Sequence, residues 1–336
     1  MIKPVLIESS YENPWYNLAL EEYLFNTVDS DEVILYLWQN NNTVVIGRNQ
    51  NPWKECDSEK LENDGGKLAR RLSGGGAVYH DLGNLNFTFI MHKDNYNLER
   101  QLSVIANALK FFNVNAEFSG RNDMLIDGKK FSGHAYYFKD NRAYHHGTIL
   151  VNSDLEKLSY YLSPSKKKIE SKGIDSVRSR VTNIADIDKD ITTYRMANAL
   201  KKSFENTYGI ISKYKVYDYN DSNIISLQDK YASWDWRYGG SPKFDISFTD
   251  KFTWGEVEIA LSLKNGLISD MKVYTDAMDT GLFDDFSAGF IGCKFSKESI
   301  SKICLEKTQN MPDNVKQDIN DLINNFKLPR ESNTDK

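Results

Sequence analysis

The stretch from Arg70 to Asn84 has the residue types of an anion-binding loop. It reads Arg-Arg-Leu-Ser-Gly-Gly-Gly-Ala-Val-Tyr-His-Asp-Leu-Gly-Asn, so two arginines precede the consecutive glycines Gly74, Gly75 and Gly76. Glycine has no Cβ atom, so such a run can approach a ligand closely and present its N–H groups to an anion. A guanidinium group matches phosphate or carboxylate in shape and charge. The pattern predicts a loop that binds a phosphate-bearing ligand; the alternative is a flexible turn between two strands.

Composition limits the classes of protein to consider. The chain has 336 residues, 40% of them hydrophobic, and a formal net charge of −5. This length suits two or three domains, and the negative charge argues weakly against general nucleic-acid binding. The three cysteines, Cys56, Cys293 and Cys304, show neither a disulfide framework nor metal-ligand spacing. With no signal-peptide pattern and no membrane-length apolar run, we expect a soluble cytoplasmic protein.

The elements that must position this loop are strands joined by short turns. Turn signals at Asp127-Gly128 and Asp140-Asn141 separate alternating strands, while a strand over 85–90 follows the glycine loop. Apolar spacing predicts helices over residues 14–27, 54–64, 98–112, 155–162 and 194–208. Few helices separate the strands, so we expect an α+β fold with a mixed, largely antiparallel sheet rather than a doubly wound parallel one.

The pattern changes near residue 245. Strands are predicted over residues 252–263 and 267–274, on either side of a Lys-Asn-Gly turn. Helices are predicted over 282–291, 297–306 and 313–326. We therefore expect a domain of residues 1–244 that holds the loop and a small α+β C-terminal domain of residues 245–336.

Several segments, in order along the chain, resemble the lipoate-protein ligase A family. The run Arg-Arg-Leu-Ser-Gly-Gly-Gly-Ala-Val-Tyr-His-Asp-Leu-Gly-Asn is similar to the signature loop of that family. The other similar segments are Gly-Arg-Asn-Gln-Asn-Pro-Trp at 47–53, Gly-Arg-Asn-Asp at 120–123, Lys-Phe-Ser-Gly-His-Ala at 130–135, His-His-Gly-Thr at 145–148, the lysine-rich run 166–183, and Phe-Thr-Trp-Gly at 252–255. His134 departs from the bacterial pattern, which has a small residue there, and we expect only a local packing effect.

The resemblance implies a two-step reaction on the catalytic fold shared by biotin and lipoate ligases. Lipoate and ATP would give lipoyl-AMP and pyrophosphate, with Mg²⁺ on the leaving pyrophosphate. The lipoyl group would then pass to one lysine of a lipoyl domain. The implied partners are lipoyl domains of 2-oxo acid dehydrogenase complexes or the H protein of glycine cleavage, without nucleic acid or membrane. The C-terminal domain would be an accessory domain.

Lys130 is the implied catalytic residue. A cation at this position could bridge the carboxylate of lipoate and the α-phosphate, and then steady the oxyanion during attack by the amine. Lys129 is the alternative, because neighbours on a strand face opposite sides, and only the resemblance places the role on Lys130. Binding of the ligands is assigned to Arg71, Ser73, Gly74, Gly75, Gly76, Ala77, Val78, Tyr79, Asn84, Asn122, Asp123, Lys130 and His146.

Polar residues around these motifs have further predicted roles. Asp123 is the predicted Mg²⁺ ligand, since Mg²⁺ accepts carboxylate and phosphate oxygens, and a simple turn residue is the alternative. His80 is expected to orient the loop rather than to bind metal. His145 and His146 adjoin on a strand, so only one of them can face the site. A zinc site is not expected. Either Asp123 or a phosphate oxygen could take the proton of the acceptor amine.

Apolar residues near the motifs could form a slot for the pentanoate chain and dithiolane ring of lipoate. The candidates are Trp38, Val45, Val78 and Phe89, with ordinary core packing as the alternative. The lysines at 166–168 could close over the adenylate as a lid, could attract an acidic lipoyl domain, or could be a solvated loop.

Three other functions remain open from the sequence. A lipoyl or octanoyl transferase without adenylation would need a reactive cysteine if it formed a thioester, and the three cysteines lie outside the motifs. A transferase that uses preformed lipoyl-AMP and a non-catalytic lipoate-binding protein are the others. Biotin ligation does not fit the sequence of the glycine loop.

Overall fold

The computed structural model describes residues 2–119, 122–162, 180–218, 221–238 and 244–325. The lysines at 166–168, Gly120, Arg121 and the final residues 326–336 lie outside these ranges. The described residues form two compact units: those of Met1–Arg48 with Pro52–Gly239, and those of Asn49–Asn51 with Gly240–Lys336. The boundary after residue 244 stays a prediction from the sequence. No helix among the described residues has the length and apolar character to cross a membrane.

The strands of the first unit form two sheets. They are β1 (Lys3–Ser9), β2 (Glu32–Trp38), β3 (Thr43–Ile46), β4 (Lys67–Arg70), β5 (Val78–His80), β6 (Asn84–His92), β7 (Glu117–Ser119), β8 (Asp123–Ile126), β9 (Lys129–Lys139), β10 (Arg142–Leu150) and β11 (Lys213–Tyr217). The large sheet has the order β11-β1-β2-β6-β10-β9-β8-β7, and the small sheet has the order β4-β3-β5. In the large sheet β1 is parallel to both β2 and β11, whereas the other pairs are antiparallel. The predicted mixed, largely antiparallel sheet is confirmed.

Helices cover both faces of the large sheet. The helices of this unit are α1 (Pro14–Thr27), α2 (Pro52–Glu55), α3 (Ser58–Asn63), α4 (Leu98–Lys110), α5 (Leu155–Tyr161), α6 (Thr193–Tyr208), α7 (Ser222–Ala232) and α8 (Trp234–Arg237). Side chains of α4 and α6 join one face of the sheet in a core, and side chains of α1 and α7 join the other face in a second core. The small sheet forms a third core with α3 and α5.

Local signals explain where several elements begin. The side chain of Asn13 accepts a hydrogen bond from the N–H of Trp15, and Pro14 occupies the first helical position, so α1 starts as the sequence predicts. The turn between β8 and β9 has positive φ at both Asp127 (49°) and Gly128 (76°), as a tight hairpin of this type requires. The helix predicted over 54–64 is instead two helices, because the side chain of Asp57 caps α3.

The second unit has its own core between a sheet and two helices. Its sheet consists of β12 (Ile246–Lys251), β13 (Glu256–Lys264) and β14 (Leu267–Thr275), and its helices are α9 (Lys297–Lys307) and α10 (Asp313–Asn325). The helix predicted over 282–291 is wrong, since only the short 3-10 turn Ser287–Phe290 forms there. Phe286 and Phe290 are nevertheless buried in the core, so the apolar spacing reflected packing of a turn rather than a helix.

Candidate active site

A cavity of about 270 Å³ lies in the first unit, on the α1 face of the large sheet and beside the glycine loop. The loop connects β4 to β5 of the small sheet, so the cavity has one wall from each sheet. It is lined by Leu18, Trp38, Val45, Arg71, Gly75, Gly76, Ala77, Val78, His80, Asn86, Asn122, Lys130, Gly133, His134, Ala135, His146, Gly147 and Thr148.

Lys130 reaches the cavity because of an irregularity in its strand. Met124 pairs with Ser132 and Leu125 pairs with Lys130, so Phe131 is an extra residue in β9. Phe131 is fully buried in the core that α4 and α6 form with the sheet. Such a bulge breaks the alternation of side chains along a strand and re-aims them. Lys130 therefore lies among the cavity residues, whereas its neighbour Lys129 is exposed.

The amine of Lys130 is held at one end of the cavity. Its Nζ lies 2.6 Å from Oδ1 of Asp123, and both side chains are about one-third exposed. Gly133 passes directly beneath, since a Cβ atom there would stand 3.0 Å from both Cε and Nζ of the lysine. The N–H of Gly133 donates to Oγ1 of Thr148 at 3.3 Å. A cation, a carboxylate and a hydroxyl thus meet at this end.

The glycine loop is held from inside by Arg71. Its guanidinium donates to the carbonyl oxygens of Gly74 (2.7 Å), Gly76 (2.8 Å) and Val45 (3.2 Å), and its Nε donates to Oγ of Ser73 (3.0 Å). Burial lowers the pKa of Arg71 to about 10, so it remains charged at neutral pH.

This arrangement directs the N–H groups of the loop. In a trans peptide the C=O and the following N–H point in opposite directions. Because the carbonyls of Gly74 and Gly76 turn toward Arg71, the N–H groups of Gly75 and Ala77 turn away from it. Gly75 and Ala77 both line the cavity, and Gly75 has a φ of 87° that favours glycine. The loop can therefore offer backbone donors to an anion.

Gly47 permits the close packing of this loop. A Cβ atom at Gly47 would stand 2.2 Å from the carbonyl oxygen of Gly75, which is backbone and cannot rotate away. The other arginine of the motif, Arg70, donates to the carbonyls of Gly47, Trp236 and Arg237. Arg70 therefore has a structural role on the other side of the loop.

A buried hydrogen-bond network connects the loop to α1. Oγ of Ser73 lies 2.8 Å from Nε2 of His146, and Nδ1 of His146 lies 2.8 Å from Oε1 of Glu21. The hydroxyl of Thr88 donates to the same carboxylate oxygen, and Nε1 of Trp38 donates to Thr88. Since a carboxylate only accepts, Nδ1 of His146 carries the proton. The network fixes one loop residue and two cavity side chains relative to each other.

The two adjacent histidines lie on opposite faces, as the alternation along a strand predicts. His146 faces the cavity, whereas His145 is buried in the other core, where its Nδ1 lies 2.8 Å from Oε1 of Gln101. Nε2 of His145 lies 2.7 Å from Nδ1 of His134, whose Nε2 is 3.1 Å from Oγ of Ser132. Burial and the charge of Lys130 lower the pKa of His134 to about 3. His134 is thus part of a buried polar chain, which is more than the local packing effect expected.

Three of the four residues considered for an apolar slot line the cavity, and the fourth does not. Trp38, Val45 and Val78 line the cavity, together with Leu18 of α1. Phe89 does not, because its side chain lies in the core on the opposite face of the sheet. It follows Thr88 on β6, and successive side chains of a strand point to opposite faces.

The predicted ligand-binding residues are distributed around the cavity. Arg71, Gly75, Gly76, Ala77, Val78, Asn122, Lys130 and His146 line it. Ser73, Gly74 and Asp123 contact lining residues through the bonds described above. Tyr79 points into the core of the small sheet, where its hydroxyl donates to Asn42, and Asn84 donates to Oδ1 of Asn86.

Sequence reasoning missed Glu21, Asn86 and Thr148. Glu21 is 2% exposed, and Leu18, Leu24 and Phe25, about one turn away on the same buried face of the helix, are apolar. A carboxylate within a buried face needs a partner, and this was the signal that could have revealed it. Asn86 and Thr148 alternate with apolar residues on β6 and β10, and they are opposite each other in the sheet.

The described side chains bear on two kinds of chemistry, catalysis by a thiol and binding of a metal ion by protein ligands. Cys56 is 2% exposed, and burial raises the pKa of its thiol to about 12, which disfavours a thiolate nucleophile. Among the described residues no group of three or more His, Cys, Asp or Glu side chains could hold a metal ion.

The fold and the cavity can now be compared with known proteins. Residues 13–205 match the family model for the lipoyl protein ligase A/B catalytic domain, and residues 241–324 match that for the bacterial lipoate protein ligase C-terminus. A lipoate-protein ligase A from Blochmanniella floridana is 42% identical over 320 residues, which cover 93% of this chain and 95% of that protein. One from Psychrobacter cryohalolentis is 40% identical over 310 residues, covering 88% and 90%.

Solved structures of lipoate ligases are also similar. The crystal structure of Plasmodium falciparum LipL1 in complex with lipoate has a TM-score of 0.80 and 33% identity, covering 96% of this chain and all of that one. A bipartite lipoate protein ligase from Thermoplasma acidophilum, described with its E2 lipoyl domain, has a TM-score of 0.64 and 28% identity (73% and 100% covered). A lipoate-protein ligase A bound with ATP has a TM-score of 0.59 and 27% identity (71% and 98%).

These matches define the class of protein as a lipoate ligase. The chain belongs to the lipoate-protein ligase A family, and it is an enzyme.

Proposed function

We propose that this enzyme activates lipoate with ATP at the described cavity and transfers the lipoyl group to a lysine of a lipoyl domain. The observation that carries the proposal is the position of Lys130, whose amine ends at the cavity beside Gly133 and Thr148. The glycine loop, with its N–H donors, lines the same cavity. Relatives described with bound lipoate and with bound ATP support these two substrates.

In the first step a carboxylate oxygen of lipoate attacks the α-phosphorus of ATP, an O–P bond forms, and pyrophosphate leaves. Such a step depends on positioning and on stabilisation of charge at phosphorus. Lys130 is placed to contact both the carboxylate and the α-phosphate. The N–H groups of Gly75 and Ala77 would contact phosphate oxygens, which is how the loop serves the nucleotide. Arg71 would contribute by holding the loop in this form.

In the second step the ε-amine of the acceptor lysine attacks the carbonyl carbon of lipoyl-AMP. A C–N bond forms, AMP leaves, and the amine loses a proton. Lys130 would stabilise the oxyanion that develops on the carbonyl oxygen. Either Asp123 or a phosphate oxygen would accept the proton. The mixed anhydride is sensitive to water, so the walls formed by Trp38 and Val78 would also protect it.

Magnesium is proposed as an ion that accompanies ATP. Mg²⁺ commonly binds one or two protein carboxylates together with substrate phosphates, so a single carboxylate, that of Asp123, is enough for this role. Asp123 would give up its contact with Lys130 when it binds the ion. The ion would supply charge neutralisation of the pyrophosphate.

The proposal also covers the acceptor protein, the cellular location and the roles of the two domains. A relative described with its E2 lipoyl domain supports lipoyl domains as partners, in 2-oxo acid dehydrogenase complexes or as the glycine cleavage H protein. We also propose a cytoplasmic location, catalysis by residues 1–244 and an accessory role for residues 245–336. Thioester chemistry at Cys56 is disfavoured by its burial and raised thiol pKa.

The test is lipoate-dependent exchange of labelled pyrophosphate into ATP, compared among the natural protein, Lys130→Ala and Lys129→Ala. The matched control removes an exposed lysine one residue away. We expect Lys130→Ala to lower exchange by about 10²-fold or more, the scale on which loss of one transition-state contact acts. Lys129→Ala should keep the natural rate.

Transfer is tested separately by incubation with ATP, lipoate and an apo lipoyl domain, with the intact mass as readout. Absence of exchange in the natural protein would exclude adenylation. Exchange without a mass increase would exclude transfer to that acceptor, and full exchange by Lys130→Ala would remove the catalytic assignment.

A further inference from the structure

His80 has an unused hydrogen-bonding atom at the cavity. Its ring is 3% exposed, lines the cavity, and stands edge-to-face against Trp38 with ring centroids 6.1 Å apart. Nδ1 of His80 lies 3.1 Å from Nδ2 of Asn40. The other nitrogen, Nε2, is buried and has no partner among the described residues. A buried polar atom without a partner is costly, so a native structure that keeps one calls for an explanation.

The surrounding amides determine which nitrogen of His80 carries the proton. Nδ2 of Asn17 donates to the backbone carbonyls of Tyr11 and Gln39, both at 2.8 Å, which fixes the orientation of its amide. The same Nδ2 lies 2.9 Å from Oδ1 of Asn40, so its two N–H bonds are shared among three acceptors, and an amide nitrogen of Asn40 at that position would face another donor. The amide nitrogen of Asn40 must therefore face His80 and donate to Nδ1. Because Nδ1 accepts, the proton of the neutral ring lies on Nε2.

His80 remains neutral at physiological pH. Burial, followed by the charges of Arg71 and His146, lowers its pKa to about 3. Nε2–H is thus a neutral donor, oriented in advance by the amide chain, in a part of the cavity that Trp38, Val45 and Val78 make apolar.

The large sheet places His80 far from the catalytic lysine. Its ring contacts Trp38 on β2, and the strand order β2-β6-β10-β9 separates Trp38 from Lys130 by three strand spacings. Three spacings amount to roughly 14 Å between backbones. Side chains on both strands span part of this distance. A ligand with its carboxylate at Lys130 and a five-carbon chain extended along the cavity would bring its far end to His80.

We propose that Nε2–H of His80 donates to a dithiolane sulfur of lipoate and makes His80 a specificity-determining residue. The proposal rests on the proposed function, since it takes lipoate bound with its carboxylate at Lys130. A disulfide sulfur, like the thioether sulfur of methionine, is a weak acceptor, but it still gives this donor a partner. A saturated acid such as octanoate leaves the donor unpaired, and sites built around a hydrogen bond reject ligands that lack its partner.

The experiment compares lipoate with 5-cyclopentylpentanoate, in which methylene groups replace both sulfurs and the shape is retained, and with octanoate. Pyrophosphate exchange gives kcat/KM for each acid. We expect the natural protein to favour lipoate over the cyclopentyl acid by roughly three- to tenfold, the usual effect of one hydrogen bond. In His80→Phe this ratio should fall to about one, because the ring remains while the donor is lost.

A matched control is Val45→Ala, which alters the same apolar wall without touching a donor. It should lower kcat/KM for lipoate and for the cyclopentyl acid together and leave their ratio unchanged. A loss of overall activity in His80→Phe with the natural ratio would show a steric role and would overturn the proposal.

A second measurement uses the natural protein and does not depend on a variant that folds. The chain has five histidines, so ¹⁵N-histidine labelling gives few ring signals. The ring of His80 should show the Nε2–H tautomer, and its Nε2–H signal should shift with lipoate but not with octanoate. An Nδ1–H tautomer, or equal shifts with both acids, would overturn the role of His80. Failure of lipoate-dependent exchange in the natural protein would instead refute the proposed function, and this inference with it.

Discussion

Replacement of Gly133 by alanine should impair catalysis without impairing folding. The added Cβ atom would stand 3.0 Å from Cε and Nζ of Lys130, and 3.8 Å from Oγ1 of Thr148. Ordinary contacts begin at 3.4 Å, so the lysine end must move by at least about 0.4 Å. A flexible side chain can make this movement at little cost, and alanine is favoured over glycine in strands by about 0.5–1 kcal/mol. The free energy of unfolding should therefore stay within about 1 kcal/mol of the natural value.

The effect on the reaction should be larger. A misplacement of about 1 Å can cost about 10²-fold in rate, so a shift of half that size should lower the pyrophosphate exchange rate by roughly tenfold. The effect should fall on kcat, since Lys130 is proposed to act on the reacting atoms, whereas the apolar walls proposed to bind lipoate are unchanged.

Gly147→Ala provides the matched contrast. Its Cβ atom would stand 2.6 Å from the backbone oxygen of Gly133 and 2.6 Å from the ring of Phe87. Neither can give way easily, so this variant should lose about 1–3 kcal/mol in urea unfolding. If Gly133→Ala keeps the natural kcat, or loses as much stability as Gly147→Ala, the inference that Gly133 provides space for Lys130 is wrong.

Two further predictions concern stability. Gly47→Ala should lower the free energy of unfolding by about 1–3 kcal/mol, because its Cβ atom would meet the backbone oxygen of Gly75. The control Gly76→Ala has open space around the added Cβ atom and should keep the natural stability. Equal urea midpoints for the two variants would contradict this prediction. Burial lowers the pKa of His80 and His134 from 6.5 to about 3, so between these pH values the unfolded chain binds more protons. Stability should thus be complete well above pH 6.5 and fall below it, by roughly 1 kcal/mol per histidine at about pH 5.5, and His134→Asn should weaken the pH dependence of the urea midpoint.

Local sequence signals predicted turns and helix starts well where a few adjacent residues are enough to fix the backbone conformation. Asp127-Gly128 gave a turn because both residues tolerate positive φ, and Asn13-Pro14 gave a helix start because the cap and the ring favour it. The strand over 213–217 and the helix over 222–232 were not assigned. That strand, Lys-Tyr-Lys-Val-Tyr, is short, and four of its five side chains are exposed, so it lacks the buried apolar face that marks the other strands.

The residue types alone did not predict strand register, which determines which of two neighbouring side chains on a strand faces the cavity. Lys129 and Lys130 are equivalent in type, and alternation allows one of them to face the cavity. The choice depends on the bulge at Phe131, which depends in turn on how Met124 and Leu125 pair across the hairpin. No local pattern encodes that pairing. The same limitation explains why Phe89 was wrongly considered for the apolar slot, since an aromatic residue on a strand near the motifs can face either layer of helices.

The positions of Arg71 and Lys130 explain why the site needs both a glycine loop and a distant lysine. The sequence suggested that Arg71 brings charge to the phosphate, but its donors bind the carbonyls of Gly74, Gly76 and Val45 inside the loop. A guanidinium group has several donors in a fixed plane, so it can gather several carbonyls at once. The N–H groups that follow Gly74 and Gly76, those of Gly75 and Ala77, then turn away from Arg71 at the cavity wall. In the proposed reaction Lys130, a single compact cation near the start of a bulged strand, would supply the charge where the carboxylate and the phosphate meet.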